Sequence, residues 1–144
     1  MKKFLLVAIV AISALSVNAQ AQKYLNFGGI GTGIYAGLEF PVASAITIGP
    51  AVYTNYDFNY WVLAGKGNYY FDDLFGLPSA WDVYAGANVG YRLDGSNNND
   101  HDGDGFNWGA QIGARWFWNE KWGLNAEFGG GSGVNGGLGV TMKL

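Results

Sequence analysis

The sequence predicts an all-β chain, an eight-stranded antiparallel up-and-down transmembrane β-barrel behind a cleavable leader. Three observations predict it. Apolar residues recur at every second position, most clearly from Trp81 to Trp118, and a period of two sends successive side chains to opposite faces of a strand. Aromatic residues stand at the ends of these rows with small aliphatics between them, as on a surface that meets lipid with rings at both interfaces. The chain is 49% hydrophobic and 13% charged, yet beyond its first residues it has no run long enough for a spanning helix. Its apolar content lies instead on alternate residues.

The leader comes first in the chain. Lys2 and Lys3 precede an apolar run from Phe4 to Val17, interrupted at Ser13 and Ser16. Val17-Asn18-Ala19 and Ala19-Gln20-Ala21 are both small-x-small sites. The pattern is that of a secretory signal peptide over 1–21, cut after Ala19 or Ala21, with one barrel domain over 22–144. The run is shorter than the ~20 residues of a membrane anchor. After cleavage six cations remain (Lys23, Lys66, Arg92, Arg115, Lys121 and Lys143) against 11 acids. That balance argues against a nucleic-acid partner, which calls for a basic face. With no cysteine, no disulfide framework holds the exported chain.

Eight strand segments follow, separated by Gly, Asn, Asp, Ser or Pro clusters, and no helix is expected after residue 21. The first is Tyr24 to Gly29. The second, Ile34 to Phe40, sets Ile34, Ala36, Leu38 and Phe40 against Tyr35, Gly37 and Glu39, and a turn is expected from Pro41 to Ser44. The third, Ala45 to Tyr53, contains Pro50, which cannot donate to a ladder and predicts a bulge or irregular pairing. The fourth, Tyr60 to Phe71, carries Trp61, Leu63, Tyr69 and Phe71 on its apolar face, and a loop from Asp72 to Ser79 closes that hairpin.

The fifth and sixth strands are the clearest. Trp81, Val83, Ala85, Ala87, Val89, Tyr91 and Leu93 make one apolar row; Phe106, Trp108, Ala110, Ile112, Ala114, Trp116 and Trp118 make the next. A turn at Asn119 to Lys121 leads into the seventh strand, with Trp122, Leu124, Ala126 and Phe128 on one face. The eighth alternates Leu138, Val140, Met142 and Leu144 with Gly137, Gly139, Thr141 and Lys143. In a soluble barrel the apolar rows would be the core and the other rows would be wet. Those other rows are mostly Gly, Asn, Ala, Thr and Tyr with one or two charges per strand, too mild for a water-facing surface.

With leader, eight alternating strands and an alternating final strand, the chain resembles the small outer-membrane β-barrel proteins of Gram-negative bacteria, the opacity-porin-like or outer membrane protein β-barrel domain family. The resemblance spans the whole exported chain and is one of pattern. Family members usually finish on an aromatic residue; this chain finishes on Leu144. The resemblance implies an outer-membrane location, a monomer, contact with outer-membrane lipid and lipopolysaccharide, and insertion by the barrel assembly machinery. It also places both termini and the turns near Pro41, Asp72 and Asn119 in the periplasm. The interface aromatics Tyr69, Phe71, Trp81, Trp116, Trp118 and Trp122 then gather at the periplasmic rim, and Trp61, Tyr91 and Trp108 at the outer one.

Candidate chemistry falls into two places. The inward rows carry Glu39, Lys66, Asp82, Arg92, Arg115, Glu127 and Lys143. An eight-stranded barrel has room only for side chains, and buried charges must be paired, so these are expected to form a lumen network that plugs the barrel. The alternative is a narrow channel for ions or very small solutes. The loop from Asp94 to Gly105 places Asp100, Asp102, Asp104 and Gly105 in the first half of a calcium-loop pattern. Gln111 stands where the bidentate Glu belongs and a strand follows instead of a helix. A solvated acidic loop is therefore the plainer reading, with weak Ca²⁺ binding as the other. His101 and Ser96 share that loop, but a flexible polar loop lacks the rigid support that catalysis needs. No enzyme and no cofactor are expected; a lipid-modifying barrel enzyme is the remotest alternative.

Overall fold

Each segment with a period of two becomes a strand. The computed structural model describes residues 22–29, 31, 33–94, 105–130 and 136–144. Its strands are β1 (Tyr24–Gly28), β2 (Gly33–Ala43), β3 (Ile46–Asn55) and β4 (Tyr60–Tyr70), then β5 (Trp81–Asp94), β6 (Gly105–Phe117), β7 (Trp122–Gly130) and β8 (Gly137–Lys143). Every strand pairs antiparallel with the next, and β8 pairs with β1 to close the barrel. No sheet edge is left open, which removes the hazard of unpaired strand edges. The segment expected to be the leader, 1–21, lies outside the described residues.

Continuing the ladder registers once around returns to β1 displaced by about ten residues, a stagger that tilts the strands by ~40°. The two ends of the described chain meet at one end of the barrel, where the Leu144 amide donates to the Lys23 carbonyl at 2.9 Å. That end also holds the β2–β3, β4–β5 and β6–β7 connections and is called the terminal end below.

Three local expectations are corrected. β2 continues through Pro41 to Ala43, where a turn was expected, and the turn itself is 44–45. Pro41 lies beyond the end of the β1 ladder, which starts at Tyr24 opposite Glu39, so its missing N–H costs no bond on that side. A register shift between Pro41 and Ala43 absorbs the bend. β3 likewise runs past Tyr53 to Asn55. The β4–β5 connection, expected to be a loop, contains a helical turn, α1 (Asp72–Phe75), ended by Gly76 in the left-handed region at φ 60°. A single turn is too short to leave a helical period in the sequence.

Pro50 meets its expectation of irregular pairing on one side only. Its ladder with β4 is continuous through Gly65, whereas the β2–β3 register passes from Gly37–Ala51 directly to Phe40–Ile48. The backbones crowd in this gap. A Cβ on Gly49 would lie 1.7 Å from the Leu38 carbonyl oxygen, so only glycine fits there.

The rows divide as the alternation predicts. The apolar rows face out, with Trp108 79% and Phe128 69% exposed. Inside, Asn26, Glu39, Thr47, Asn68, Asp82, Asn88, Gln111, Arg115, Asn125, Glu127 and Thr141 are buried beside Tyr24, Tyr53, Val62 and Tyr84. Buried polar groups are ordinarily the exception; here they fill much of the interior.

Candidate functional site

The inward polar rows meet in three layers. The layer nearest the terminal end centres on Glu39 in β2 and Arg115 in β6, which face each other from opposite walls. Arg115 donates to Glu39 Oε1 and to the Tyr70 hydroxyl. The Glu39 carboxylate also accepts from Asn26 Nδ2 at 2.7 Å, Thr47 Oγ1 at 2.8 Å and the Tyr70 hydroxyl at 2.6 Å. Thr141 Oγ1 extends the chain to Asn26 Oδ1 at 2.7 Å. Asp82, the register partner of Arg115 on β5, stands 3.9 Å from its guanidinium. One side-chain network thus joins β8, β1, β2, β3, β4, β5 and β6.

Arg115 is 1% exposed and lies among aromatic faces, its Cζ 4.5 Å from the Tyr24 ring centre, 4.6 Å from Tyr84 and 5.6 Å from Tyr70. A desolvated cation gains most from such rings, and a buried guanidinium is tolerated when carboxylates and hydroxyls meet its donors.

The middle layer ties β7 to the opposite wall. Lys66 of β4 pairs with Glu127 Oε1, the Tyr84 hydroxyl donates to Glu127 Oε2 at 2.8 Å, and the Tyr35 hydroxyl donates to Asn125 Oδ1. Gly113 makes room for this arrangement. A Cβ there would lie 2.3 Å from Tyr84 Cζ, so the glycine lets the phenol lie flat across β6 and reach Glu127. Beside this layer Gln111 donates from Nε2 to Asn68 Oδ1 at 2.7 Å and accepts from Asn88 Nδ2.

At the end away from the termini, Arg92 lies 4.0 Å above the Tyr60 ring and 3.0 Å from Asp94. Lys143, at the terminal mouth, sits 3.9 Å from the centre of the Phe117 ring. The seven charged residues expected in the lumen therefore separate. Glu39, Asp82 and Arg115 form one cluster, Lys66 and Glu127 another, and Arg92 and Lys143 occupy opposite mouths.

The packing leaves little space at mid-barrel. The void bounded by Asn26, Tyr35, Glu39, Lys66, Tyr84 and Glu127 has a volume of about 10 Å³, no more than a single water needs. Toward the terminal mouth the lumen widens into a cavity of about 380 Å³, lined by Tyr24, Thr47, Tyr70, Asp72, Asp82 and Lys143 among others.

The aromatic ends of the rows also come together. On the terminal side Tyr69 meets Phe71 at 5.0 Å and Trp81 meets Trp116 at 6.5 Å, while Trp118 lies at the turn before β7. Trp122, which opens β7, reaches Phe27 edge-on at 6.4 Å. At the other end Tyr91 meets Phe106 at 5.0 Å, Trp61 meets Phe58 at 6.0 Å, and Trp108 stands out from the wall. The acidic loop residues Asp100, Asp102 and Asp104, and His101 with them, lie outside the described residues. Among the described residues no cluster of three or more His, Asp or Glu is placed to hold a metal ion.

The inward tyrosines were not singled out from the sequence as site residues. Tyr24, Tyr35, Tyr70 and Tyr84 make the ring and hydroxyl contacts that surround the charges. Their signal was phase. They occupy the inward positions of the alternation, whereas none of the six tryptophans points into the lumen.

Fold and interior together define the class: a small closed antiparallel barrel of eight strands, polar and packed within, apolar without. No protein family, curated protein or solved structure matches the chain.

Proposed function

We propose that this barrel resides in the outer membrane of a Gram-negative bacterium as a monomer of the opacity-porin-like kind, with a structural or surface-interaction role. Its partners in this reading are outer-membrane lipid, lipopolysaccharide and the machinery that inserts barrels. It needs no cofactor and performs no catalysis. One observation carries the reading: the large apolar side chains stand exposed all around the wall while the charges are buried inside. In water such a surface would far exceed the few hundred Å² of apolar patch that monomers tolerate. The dimensions agree. From Trp81 to Tyr91, ten steps along a strand of ~3.3 Å each, tilted ~40°, rise about 25 Å, the height of a lipid-facing band.

The mid-barrel void of about 10 Å³ favours a plug over a conduit, since even a small hydrated ion needs more room than one water. Electrophoresis of isolated outer membranes tests the reading. A closed barrel should migrate faster unheated than boiled, and purified protein in planar bilayers should give no conductance steps. Recovery in the soluble periplasmic fraction without a mobility shift would refute the membrane assignment. Regular conductance steps would refute the plug alone.

A further inference from the structure

The α1 turn carries an apolar group that the barrel wall does not need. Leu74 is 71% and Phe75 61% exposed, at the terminal end and beyond the last ladder pair of β4. They do not stand alone. Phe75 stacks on Phe71 at 5.7 Å with the planes 19° apart, and Phe71 meets Tyr69 on the outward row of β4. An unbroken aromatic file therefore runs from the wall onto the connection. The other side of the same turn is acidic: Asp72 and Asp73 line the terminal cavity of the lumen.

The turn is held in this orientation. The Phe71 amide donates to the Val83 carbonyl at 2.9 Å, and the Val83 amide donates to Asp72 Oδ1 at 2.7 Å. The Leu77 amide closes the turn on the Asp72 carbonyl at 3.0 Å. These bonds hold the start of the turn against β5. Among the described residues, Leu74 and Phe75 stand exposed in continuation of the outward row that ends in Tyr69 and Phe71.

We infer that Phe71, Leu74 and Phe75 form an interfacial foot that beds into the headgroup region of the leaflet at the terminal end and sets how deep the barrel sits. This rests on the membrane reading above. An apolar face beside a charged one, continuous with the lipid-facing band, is the chemistry of an element lying in the interface plane, and aromatic rings favour that depth.

The chain has no cysteine, so single sites can be labelled cleanly. Leu74→Cys, Phe75→Cys, Asp73→Cys and Val89→Cys, the last in mid-wall on β5, would each carry an environment-sensitive nitrobenzoxadiazole fluorophore. Each is refolded into phosphatidylcholine vesicles and checked for the heat-dependent mobility shift. The quenchers are lipids spin-labelled near the carbonyl, lipids spin-labelled deep in the chain, and aqueous iodide. Labels at 74 and 75 should be quenched severalfold more by the shallow lipid than the label at 73, and should resist iodide. The label at 73 should respond to iodide, and the label at 89 to the deep lipid. If 74 and 75 are as open to iodide as 73 while 89 remains lipid-quenched, the foot is wrong and the membrane barrel stands. If 74 and 75 are shielded from iodide and from lipid alike, another surface covers them and the foot is again wrong. If 89 is not quenched by lipid either, the membrane reading fails and the foot with it.

Discussion

Arg115 and Arg92 use the same chemical parts at two ends of one barrel. Each places a guanidinium on tyrosine rings beside an aspartate. Arg115 is sealed inside with Glu39 and three aromatic faces. The Arg92–Asp94 pair stands at the rim with about a third of each side chain exposed. Burial decides what the parts are worth. At the rim water and salt screen the pair, and such contacts contribute 0–1 kcal/mol. In the lumen, removal of one member leaves a buried charge unpaired, at a cost of about 3–5 kcal/mol.

The largest effect is expected at the buried arginine. Arg115→Met should lower unfolding stability in detergent micelles by about 3–5 kcal/mol, read by urea titration of the heat-shifted band, because Glu39 and Asp82 lose their cation. Adding Glu39→Gln to Arg115→Met should recover a large part of that loss. A simple sum of the two single effects would show that the pair is not coupled.

Lys66→Met should be of similar kind and smaller size, because it strips the cation from one carboxylate, Glu127, whereas Arg115→Met strips it from both Glu39 and Asp82. Gly113→Ala should cost about 1–3 kcal/mol by overpacking, since the new methyl meets the Tyr84 ring and pushes its hydroxyl off Glu127. Tyr84→Phe measured in both backgrounds separates the lost hydrogen bond from the clash. Arg92→Ala should change stability by less than about 1 kcal/mol. If it matches Arg115→Met, burial is not what distinguishes the two arginines.

The smallest effect concerns pH. Burial raises the Asp72 carboxyl above its ordinary value, against the opposing hydrogen bond from the Val83 amide. A carboxyl raised in the folded state adds stability at low pH that is lost as pH climbs through its raised value. Asp72→Asn keeps an acceptor for Val83 and should flatten that part of the stability–pH curve. A wild-type slope that persists in the variant would assign it to another group.

Much of the fold was legible because alternation reports directly on a pleated strand. The rows of β5 and β6 could be assigned to faces residue by residue, and the structure keeps those faces. Pairings were less legible. Glu39 and Arg115 are 76 residues apart on opposite walls, and Lys66 and Glu127 are 61 apart. No local pattern reveals which charges meet across a lumen, because the stagger of all eight strands sets their heights. The extra length of β2 and the α1 turn were missed for a related reason. Pro41 and Asp72 look like breakers until the end of a neighbouring ladder and the Val83 amide supply their context.

Whether the apolar rows face lipid is reported directly by the tryptophans, because none faces the lumen. The decisive measurement is intrinsic fluorescence of the refolded protein in vesicles carrying spin-labelled lipid, with and without aqueous iodide. Lipid-facing rows should give blue-shifted emission, strong quenching by the lipid-borne label and weak quenching by iodide. Emission indifferent to the lipid label and readily quenched by iodide would put the tryptophans in water and rule out a lipid-facing wall.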